Sequence, residues 1–152
     1  MMKDSTSNPG PDPFNLSRFV DAQESVYSTA LTELRSGRKR THWMWFIFPQ
    51  LGGLGSSSMA HRFAIRDLDE ARAYLAHPAL SRRLLECCRA LLAVPSTSAT
   101  AIMGYPDDLK LRSSMTLFAL VADGQPEFDS VLTKFFGGIR DAKTLDFLAH
   151  SA

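Results

Sequence analysis

Three things are scarce in this sequence: long apolar runs, cysteine, and an excess of charge of either sign. The longest strongly apolar run covers residues 43–48, far short of the roughly 20 residues that a membrane-spanning helix needs. With 17 basic and 16 acidic residues the formal charge is +1, so the broad basic face typical of nucleic-acid-binding proteins is not expected. These absences argue against a membrane protein and disfavour nucleic acid as a partner.

Cysteine is limited to the neighbours Cys87 and Cys88. Adjacent Cα atoms lie about 3.8 Å apart, below the usual range for a disulfide. No histidine or further cysteine lies nearby at metal-ligand spacing, so we predict neither a metal site nor a cofactor. Because the pair falls in a helical apolar pattern, at least one cysteine is expected to fill the core. No apolar stretch follows the first residues, so we expect no secretory signal and a cytoplasmic location.

What the sequence does contain is enough apolar material for one folded domain. Of its 152 residues, 45% are hydrophobic, and a chain of this size buries about two-thirds of its surface on folding. Residues 1–13 hold a Pro- and Gly-rich stretch without periodicity. We therefore predict a flexible tail over 1–13 and a single domain over 14–150.

The apolar residues recur mostly at helical spacing, which predicts an all-α fold, a compact bundle of about six to eight helices. The clearest case is residues 128–136, where apolar side chains stand at i, i+3, i+4, i+7 and i+8. Two segments leave a choice open: 43–48 fits a short buried helix or an irregular strand, and 116–121 fits a buried central helix or a buried strand. For the second, the proline and acids at 106–108 favour the helix.

Residues 38–58 combine residue types that suit an anion site. Glycines let backbone N–H groups approach a ligand, serine hydroxyls add donors, a lysine neutralises charge, and tryptophan offers a stacking face. The candidate ligand-binding residues in this stretch are Lys39, Trp43, Trp45, Gln50, Gly53, Gly55 and Ser57. The alternative is structural, because aromatic residues at this density are more often core and the glycines then only turn the chain. The glycine spacing matches neither a P-loop nor a dinucleotide fingerprint.

A second candidate cluster covers residues 104–115. Lys110 and Ser114 share a helix face at i, i+4, and Ser113 lies beside them. Acids at 107 and 108 suit a helix N-terminus whatever the function. Hydroxyls that lead into an apolar helix need partners from the backbone or from a ligand. We take Lys110, Ser113 and Ser114 as candidate ligand-binding residues, with bonding to the helix backbone as the alternative for the serines.

Two residues are candidate catalytic groups for proton transfer. His42 adjoins the aromatic segment, and histidine is a common general acid or base in proteins; Asp108 adjoins the second cluster. A structural role is the alternative for both, and the same choice stays open for Gln23 and Glu33 on the apolar face of the first predicted helix. The sequence contains no Ser-His-Asp order, nucleophile elbow or metal-binding histidine pair, so it does not establish an enzyme.

Several pieces of the sequence resemble one protein family. The most specific are the motifs Trp-x-Trp-x-x-Phe-Pro-Gln at 43–50 and Lys-x-x-Ser-Ser-Met-Thr at 110–116. They resemble the bacterial and fungal family catalogued as domain of unknown function 1810, and the similarity covers about residues 17–148. The resemblance implies a compact, mainly helical single domain and no established activity, so it assigns no catalytic residues. Members are sometimes labelled calpastatin, but that inhibitor works through disordered segments, whereas this chain is apolar and periodic.

The two clusters together lead to one functional hypothesis. We expect them to fold into a shared pocket for a small anionic ligand, such as a nucleotide or an ADP-ribose-like molecule. If the protein is an enzyme, hydrolysis of a glycosidic or phosphate linkage is the expected reaction class. The alternative is a non-enzymatic protein-interaction module or homodimerising domain that presents residues 43–48 and the glycine-rich loop 51–58, which we call the glycine turn, as an apolar surface. A monomer and a homodimer both fit the sequence.

Overall fold

The structure is a computed structural model that describes residues 11–150. Within that range the fold is all-α, as predicted, and β-pairing is limited to an isolated parallel bridge between Leu51 and Ile65. The helices are α1 (Ser17–Glu24), α2 (Tyr27–Arg35), α3 (Met44–Ile47), α4 (Ser58–Arg62), α5 (Leu68–Ala76), α6 (Pro78–Ala93), α7 (Ala99–Met103), α8 (Asp107–Val121), α9 (Glu127–Phe136) and α10 (Ala142–His150).

The described residues form ten helices, more than the predicted six to eight, for local reasons. The first predicted helix divides at residues 25–26, where the N–H groups of Ser25 and Val26 both donate to the carbonyl of Gln23. The segment 43–48, for which helix and strand were both open, forms the single-turn helix α3. Short helices α4 and α7 add to the count.

Helix α8 is the buried centre of the fold, which confirms the helical alternative for residues 116–121. Leu111, Met115, Leu117 and Phe118 are fully buried, and the helix packs against α5, α7, α9 and α10. The Phe118 ring continues a row of aromatic contacts through the core, with its centroid 5.2 Å from that of Tyr74 and 5.8 Å from that of Phe128.

Membrane helices and metal clusters are both absent from residues 11–150. No helix there has the length and apolar character to cross a bilayer, and no group of three histidine, cysteine or acidic side chains is placed to hold a metal ion. Cys87 and Cys88 are buried free thiols, which confirms that they fill the core. Burial raises the pKa of Cys87 to about 12 and that of Cys88 well above its usual value, so both stay protonated and unreactive at neutral pH.

The predicted flexible tail over 1–13 lies mostly outside the described residues. Within residues 11–13, the Asp12 carboxylate accepts hydrogen bonds from the backbone N–H groups of Leu16 and Ser17, at 2.7 and 3.0 Å. These N–H groups belong to the N-cap residue and the first residue of α1, so the Asp12 carboxylate satisfies free donors at the start of that helix.

Candidate functional site

The glycine turn and the start of α8 meet around the side chain of Lys110. Two adjoining spaces open there, and Gln50, Gly55 and Lys110 line both. One is a small pocket of about 10 Å³, with Trp45 and Gly53 in its wall, which has room for a single water molecule at most.

The second space is a cleft of about 230 Å³, which we call the Lys110 cleft. Its lining consists of Gln50, Leu54, Gly55, Pro106, Leu109, Lys110, Ser113, Asp141 and Lys143. The predicted ligand-binding residues that line one or both spaces are Trp45, Gln50, Gly53, Gly55, Lys110 and Ser113.

The Lys110 ammonium is held between an aromatic ring and a carboxylate. Its Nζ lies 5.7 Å from the centroid of the Trp45 ring and 3.5 Å from Oδ1 of Asp107. The cation–π contact restrains the side chain. The side chain keeps 29% of its surface exposed and lines the cleft, so it remains accessible from there.

Lys39 does not line this cleft, and its ammonium already has partners within the protein. Its Nζ is 3.0 Å from Oδ2 of Asp107, donates to the carbonyl of Thr41 at 2.6 Å, and lies 4.9 Å from the centroid of the Trp43 ring. Only 8% of the side chain is exposed. Asp107 is therefore shared by two lysines, and Lys110 is the more accessible of the pair.

Trp43 is a core residue whose position depends on Glu33. The indole Nε1 donates to Oε1 of Glu33 at 2.9 Å. The same carboxylate accepts the N–H of Arg40 at 2.8 Å, and the N–H and hydroxyl of Thr41 at 3.1 and 2.7 Å. Glu33 thus ties the 40–43 loop to α2, which gives it the structural role that the sequence left open. Trp43 is buried among these contacts and offers no stacking face.

Gln23 likewise has a structural role. Its Nε2 donates to the carbonyl of Phe46 at 2.7 Å and to the hydroxyl of Tyr74 at 3.1 Å. Its Oε1 accepts from Arg83 at 3.2 Å. The side-chain amide therefore joins α1 to three other parts of the core and lies apart from the Lys110 cleft.

The glycine turn is fixed mainly by contacts within the chain. Gln50 accepts the N–H of Ile65 through its backbone carbonyl, and Gly52 donates its N–H to the carbonyl of Ile65, both at 2.8 Å. Gly53 has φ +95°, a conformation that favours glycine. Ser57 accepts the N–H of Ala60 at 3.0 Å and caps α4, so its hydroxyl already has a structural partner.

Gly55 is required by a close approach of the turn to α4. A Cβ atom at position 55 would lie 2.6 Å from Cβ of Ala60. We expect Gly55→Ala to lower the free energy of unfolding by about 1–3 kcal/mol through this overlap. Ala60→Gly alone should cost about 1 kcal/mol in helix propensity. In that background Gly55→Ala should cost much less than in the wild type, because the overlapping Cβ atom of Ala60 is gone. Urea unfolding of the four proteins measures both effects, and a double variant no better than additive would contradict the steric explanation.

Hydroxyl groups connect α8 to α10 below the cleft. Oγ of Ser113 lies 3.0 Å from Oγ1 of Thr144, which donates to Oδ2 of Asp141 at 2.7 Å. Thr116 donates to the carbonyl of Arg112 and accepts the N–H of Asp141. The hydroxyl of Thr116 therefore bonds to the helix backbone, whereas the hydroxyl of Ser113 bonds to the side chain of Thr144. Ser114 is buried with no hydrogen-bond partner for its hydroxyl among residues 11–150, and it lines neither space.

Sequence reasoning missed the contribution of α10. Asp141 and Lys143 line the cleft opposite the glycine turn. The available signal was the Asp141-x-x-Thr144 spacing, in which the Asp141 carboxylate accepts the N–H of Thr144 at 3.0 Å as a helix cap. That spacing predicts a helix start but not its position beside α8.

The two candidate catalytic residues do not line the cleft. His42 is exposed and lies outside the lining of both spaces. Asp108 is buried and accepts the hydroxyl of Thr100 at 2.6 Å and the N–H of Leu109 at 2.8 Å. Its carboxylate thus joins α7 to α8.

The fold and the site define a compact all-helical domain with a small cleft between the glycine turn, α8 and the start of α10. The chain belongs to the family described as Protein of unknown function (DUF1810), whose model matches residues 13–148. This confirms the resemblance found in the sequence. The crystal structure of the conserved hypothetical protein Rv1873 from Mycobacterium tuberculosis is similar, at 54% sequence identity and a TM-score of 0.89, over 91% of this chain and 99% of that one. No match is found among curated proteins.

Proposed function

We propose that the Lys110 cleft binds a small anionic group, such as the phosphate of a nucleotide or of an ADP-ribose-like molecule. The observation that carries the proposal is the accessible Lys110 side chain in a cleft that is also lined by Gln50 and a second lysine, Lys143. Ammonium groups supply the charge that an anion needs, and amide groups supply further hydrogen bonds. The proton of Ser113 is already donated to Thr144.

The charge balance of the cleft favours an anion. Two lysines and one carboxylate, Asp141, line it. Oδ2 of Asp141 already accepts the N–H and the hydroxyl of Thr144, so donors in α10 partly offset its negative charge. When Asp107 and its second partner Lys39 are included, three lysines stand against two carboxylates, so the net charge of the cleft and its surroundings is positive.

The size of the cleft limits what it can enclose. Pockets for drug-sized ligands usually have volumes of about 300–1,000 Å³, whereas this cleft measures about 230 Å³. A phosphate group fits such a space more readily than a complete nucleotide. The remainder of a larger ligand would then lie at the mouth, where Leu54 and the exposed Leu109 provide apolar surface.

Binding has more support than hydrolysis. A general base must lie within hydrogen-bond reach of the proton that it removes, but neither His42 nor Asp108 lines the cleft. The alternative of an apolar interaction surface at 43–48 has less support still, because Trp43, Met44, Ile47 and Phe48 are at most 2% exposed.

Two free, buried thiols fit the reducing cytoplasm that we propose as the location.

A phosphate titration followed by two-dimensional ¹H–¹⁵N NMR tests this proposal. At constant ionic strength, inorganic phosphate should shift the amide signals of Gly55, Lys110 and Ser113 in a saturable way. Lys110→Gln should weaken this binding by about tenfold, since it removes a charged hydrogen-bond donor.

The matched control is Arg72→Gln, which removes one positive charge from an exposed ion pair with Asp69. This variant should bind as the wild type does. If the signals do not respond to phosphate, or if Lys110→Gln and wild type respond equally, the proposed function is wrong.

A further inference from the structure

A second groove lies on another part of the surface, between residues 13–15 and residues 62–66. Its volume is about 470 Å³, and its lining is Pro13, Phe14, Asn15, Arg18, Arg62, Ala64, Arg66 and Glu70. No residue lines both this groove and the Lys110 cleft. We call it the Arg62–Arg66 groove.

Arg18 forms a rigid base for this groove. On one wall its guanidinium donates to the carbonyls of Phe14 and Asn15, at 2.7 and 2.9 Å. On the other wall it donates to the carbonyls of Arg62 and Ala64, at 2.8 and 2.7 Å. A single side chain therefore fixes the separation of the two walls.

The charge of Arg18 is used within the protein. Its Nη2 lies 2.9 Å from Oε2 of Glu70, whose side chain is only 3% exposed. The other carboxylate oxygen accepts the N–H of Arg66 at 2.8 Å. Arg18 and Glu70 therefore form a neutral, satisfied pair below the groove, and any net charge of the groove comes from the remaining arginines.

Arg62 and Arg66 are exposed and carry that net charge. The guanidinium carbon of Arg62 lies 5.3 Å from the centroid of the Phe63 ring, and that of Arg66 lies 5.0 Å from the centroid of the Phe14 ring. Neither belongs to an ion pair among residues 11–150. Stacking on an aromatic face restrains each guanidinium and leaves its N–H edge available for an anion.

The geometry points to a phosphate-monoester site in the Arg62–Arg66 groove. A monoester carries about 1.5 to 2 negative charges at pH 7, which two unpaired guanidinium groups neutralise. Planar guanidinium groups also match phosphate oxygens with paired N–H donors. Neither neighbouring acid forms an ion pair with these arginines among residues 11–150: Asp67 accepts the N–H of Glu70 as the cap of α5, and Asp21 lines an adjoining hollow with Arg62.

A nucleic-acid backbone is the less suitable ligand for this groove. Binding to a phosphodiester chain normally depends on several phosphate contacts along a broad basic face. Among the residues that line this groove, the cations outside ion pairs are Arg62 and Arg66, and the chain as a whole has a formal charge of +1. A single dianionic group fits that arrangement better than a polyanion.

The test follows the side-chain Nε–Hε NMR signals of the arginines during titration with methyl phosphate at pH 7 and constant ionic strength. Saturable shifts are expected at Arg62 and Arg66. Dimethyl phosphate, a diester with one negative charge, should bind several-fold more weakly. The double variant Arg62→Gln/Arg66→Gln should weaken methyl phosphate binding, followed at the backbone amides of Asn15 and Ala64, by at least about tenfold.

Two controls separate this site from general charge effects and from the Lys110 cleft. Arg35→Gln removes an exposed arginine at the end of α2 and should leave methyl phosphate binding unchanged. Lys110→Gln should also leave the arginine shifts unchanged. If the arginines respond while the Lys110 cleft does not, the proposed function fails and the second site stands.

Three results would overturn the assignment. The first is the absence of saturable shifts at Arg62 and Arg66. The second is a loss of binding in Arg35→Gln or Lys110→Gln as large as in the double variant. The third is equal affinity for dimethyl phosphate, or tighter binding of a single-stranded oligonucleotide. Either result would mean that the groove recognises a nucleic-acid backbone and not a phosphate monoester.

Discussion

Glu33→Gln is expected to lower the free energy of unfolding at pH 7 by about 2–3 kcal/mol, because it removes a buried charge that accepts four hydrogen bonds. The four donors come from Arg40, Thr41 and Trp43. A glutamine of the same shape keeps one accepting oxygen but replaces the other with an NH₂ group. The loop 40–43 then loses charge-assisted bonds that hold Trp43 in the core.

The pH dependence of this difference follows from the pKa of Glu33. Burial alone would raise that pKa, but the hydrogen bonds outweigh burial and lower it from 4.5 to about 2. A carboxylate with a depressed pKa stabilises the fold fully above its unfolded value and loses that contribution as the pH falls through the folded value. The difference in the free energy of unfolding between wild type and Glu33→Gln should therefore be largest above about pH 5. It should become smaller between pH 4.5 and 2.

Urea unfolding at pH 7 and pH 3 measures this effect. Glu24→Gln is the matched control, since Glu24 forms an exposed ion pair with Arg83, and such pairs contribute only about 0–1 kcal/mol. Equal stability of Glu33→Gln and wild type at pH 7, or a gap that widens towards pH 3, would contradict the structural role assigned to Glu33.

Arg18→Met is expected to lower the free energy of unfolding by about 3–5 kcal/mol, because it leaves the Glu70 carboxylate buried without its cation. The same change removes the donors that hold residues 14–15 to residues 62–64. Methionine reproduces the apolar stem of arginine and ends where the guanidinium group begins, so packing of the stem is disturbed less than charge. Thermal or urea unfolding with a two-state fit gives the value directly.

A double-mutant cycle separates the charge from the carbonyl contacts. Glu70→Gln in the Arg18→Met background removes the unpaired charge, so the double variant should be more stable than the sum of the two single changes predicts, by about 1–3 kcal/mol. Arg72→Gln, at an exposed i, i+3 pair with Asp69, should change stability by less than about 1 kcal/mol. Strict additivity in the cycle would mean that Arg18 and Glu70 do not stabilise each other.

Local sequence signals predicted the helices well where the spacing of apolar residues matches the face that the helix buries. The spacing at 128–136 corresponds to α9 at Glu127–Phe136, and the proline and acids at 106–108 correspond to the start of α8. The break at residues 25–26 was not predictable, because the apolar pattern continues across it. There, Gln23 makes contacts with distant residues Phe46 and Tyr74, and such tertiary contacts leave no local pattern.

The candidate site was predictable in part for the same reason. The residue types at the glycine turn and around Lys110 indicated polar groups in need of partners, and several of them line adjoining spaces. Lys39 and Trp43 belong to the same motifs, but Asp107 and Glu33 engage them from elsewhere in the chain. Lys143 joins the cleft only because α10 returns to α8, which no local pattern specifies.

The most direct test of the central claim, that the Lys110 cleft holds negative charge, is a crystal of the wild-type protein soaked in selenate. Selenate is a tetrahedral dianion like phosphate, and its selenium atom is located unambiguously by anomalous scattering. The account predicts a selenium peak in the cleft, with an oxygen within hydrogen-bonding distance of Lys110 Nζ, and its loss in crystals of Lys110→Gln. A cleft without selenium in the wild type, at a soak concentration that occupies other sites, would contradict the claim.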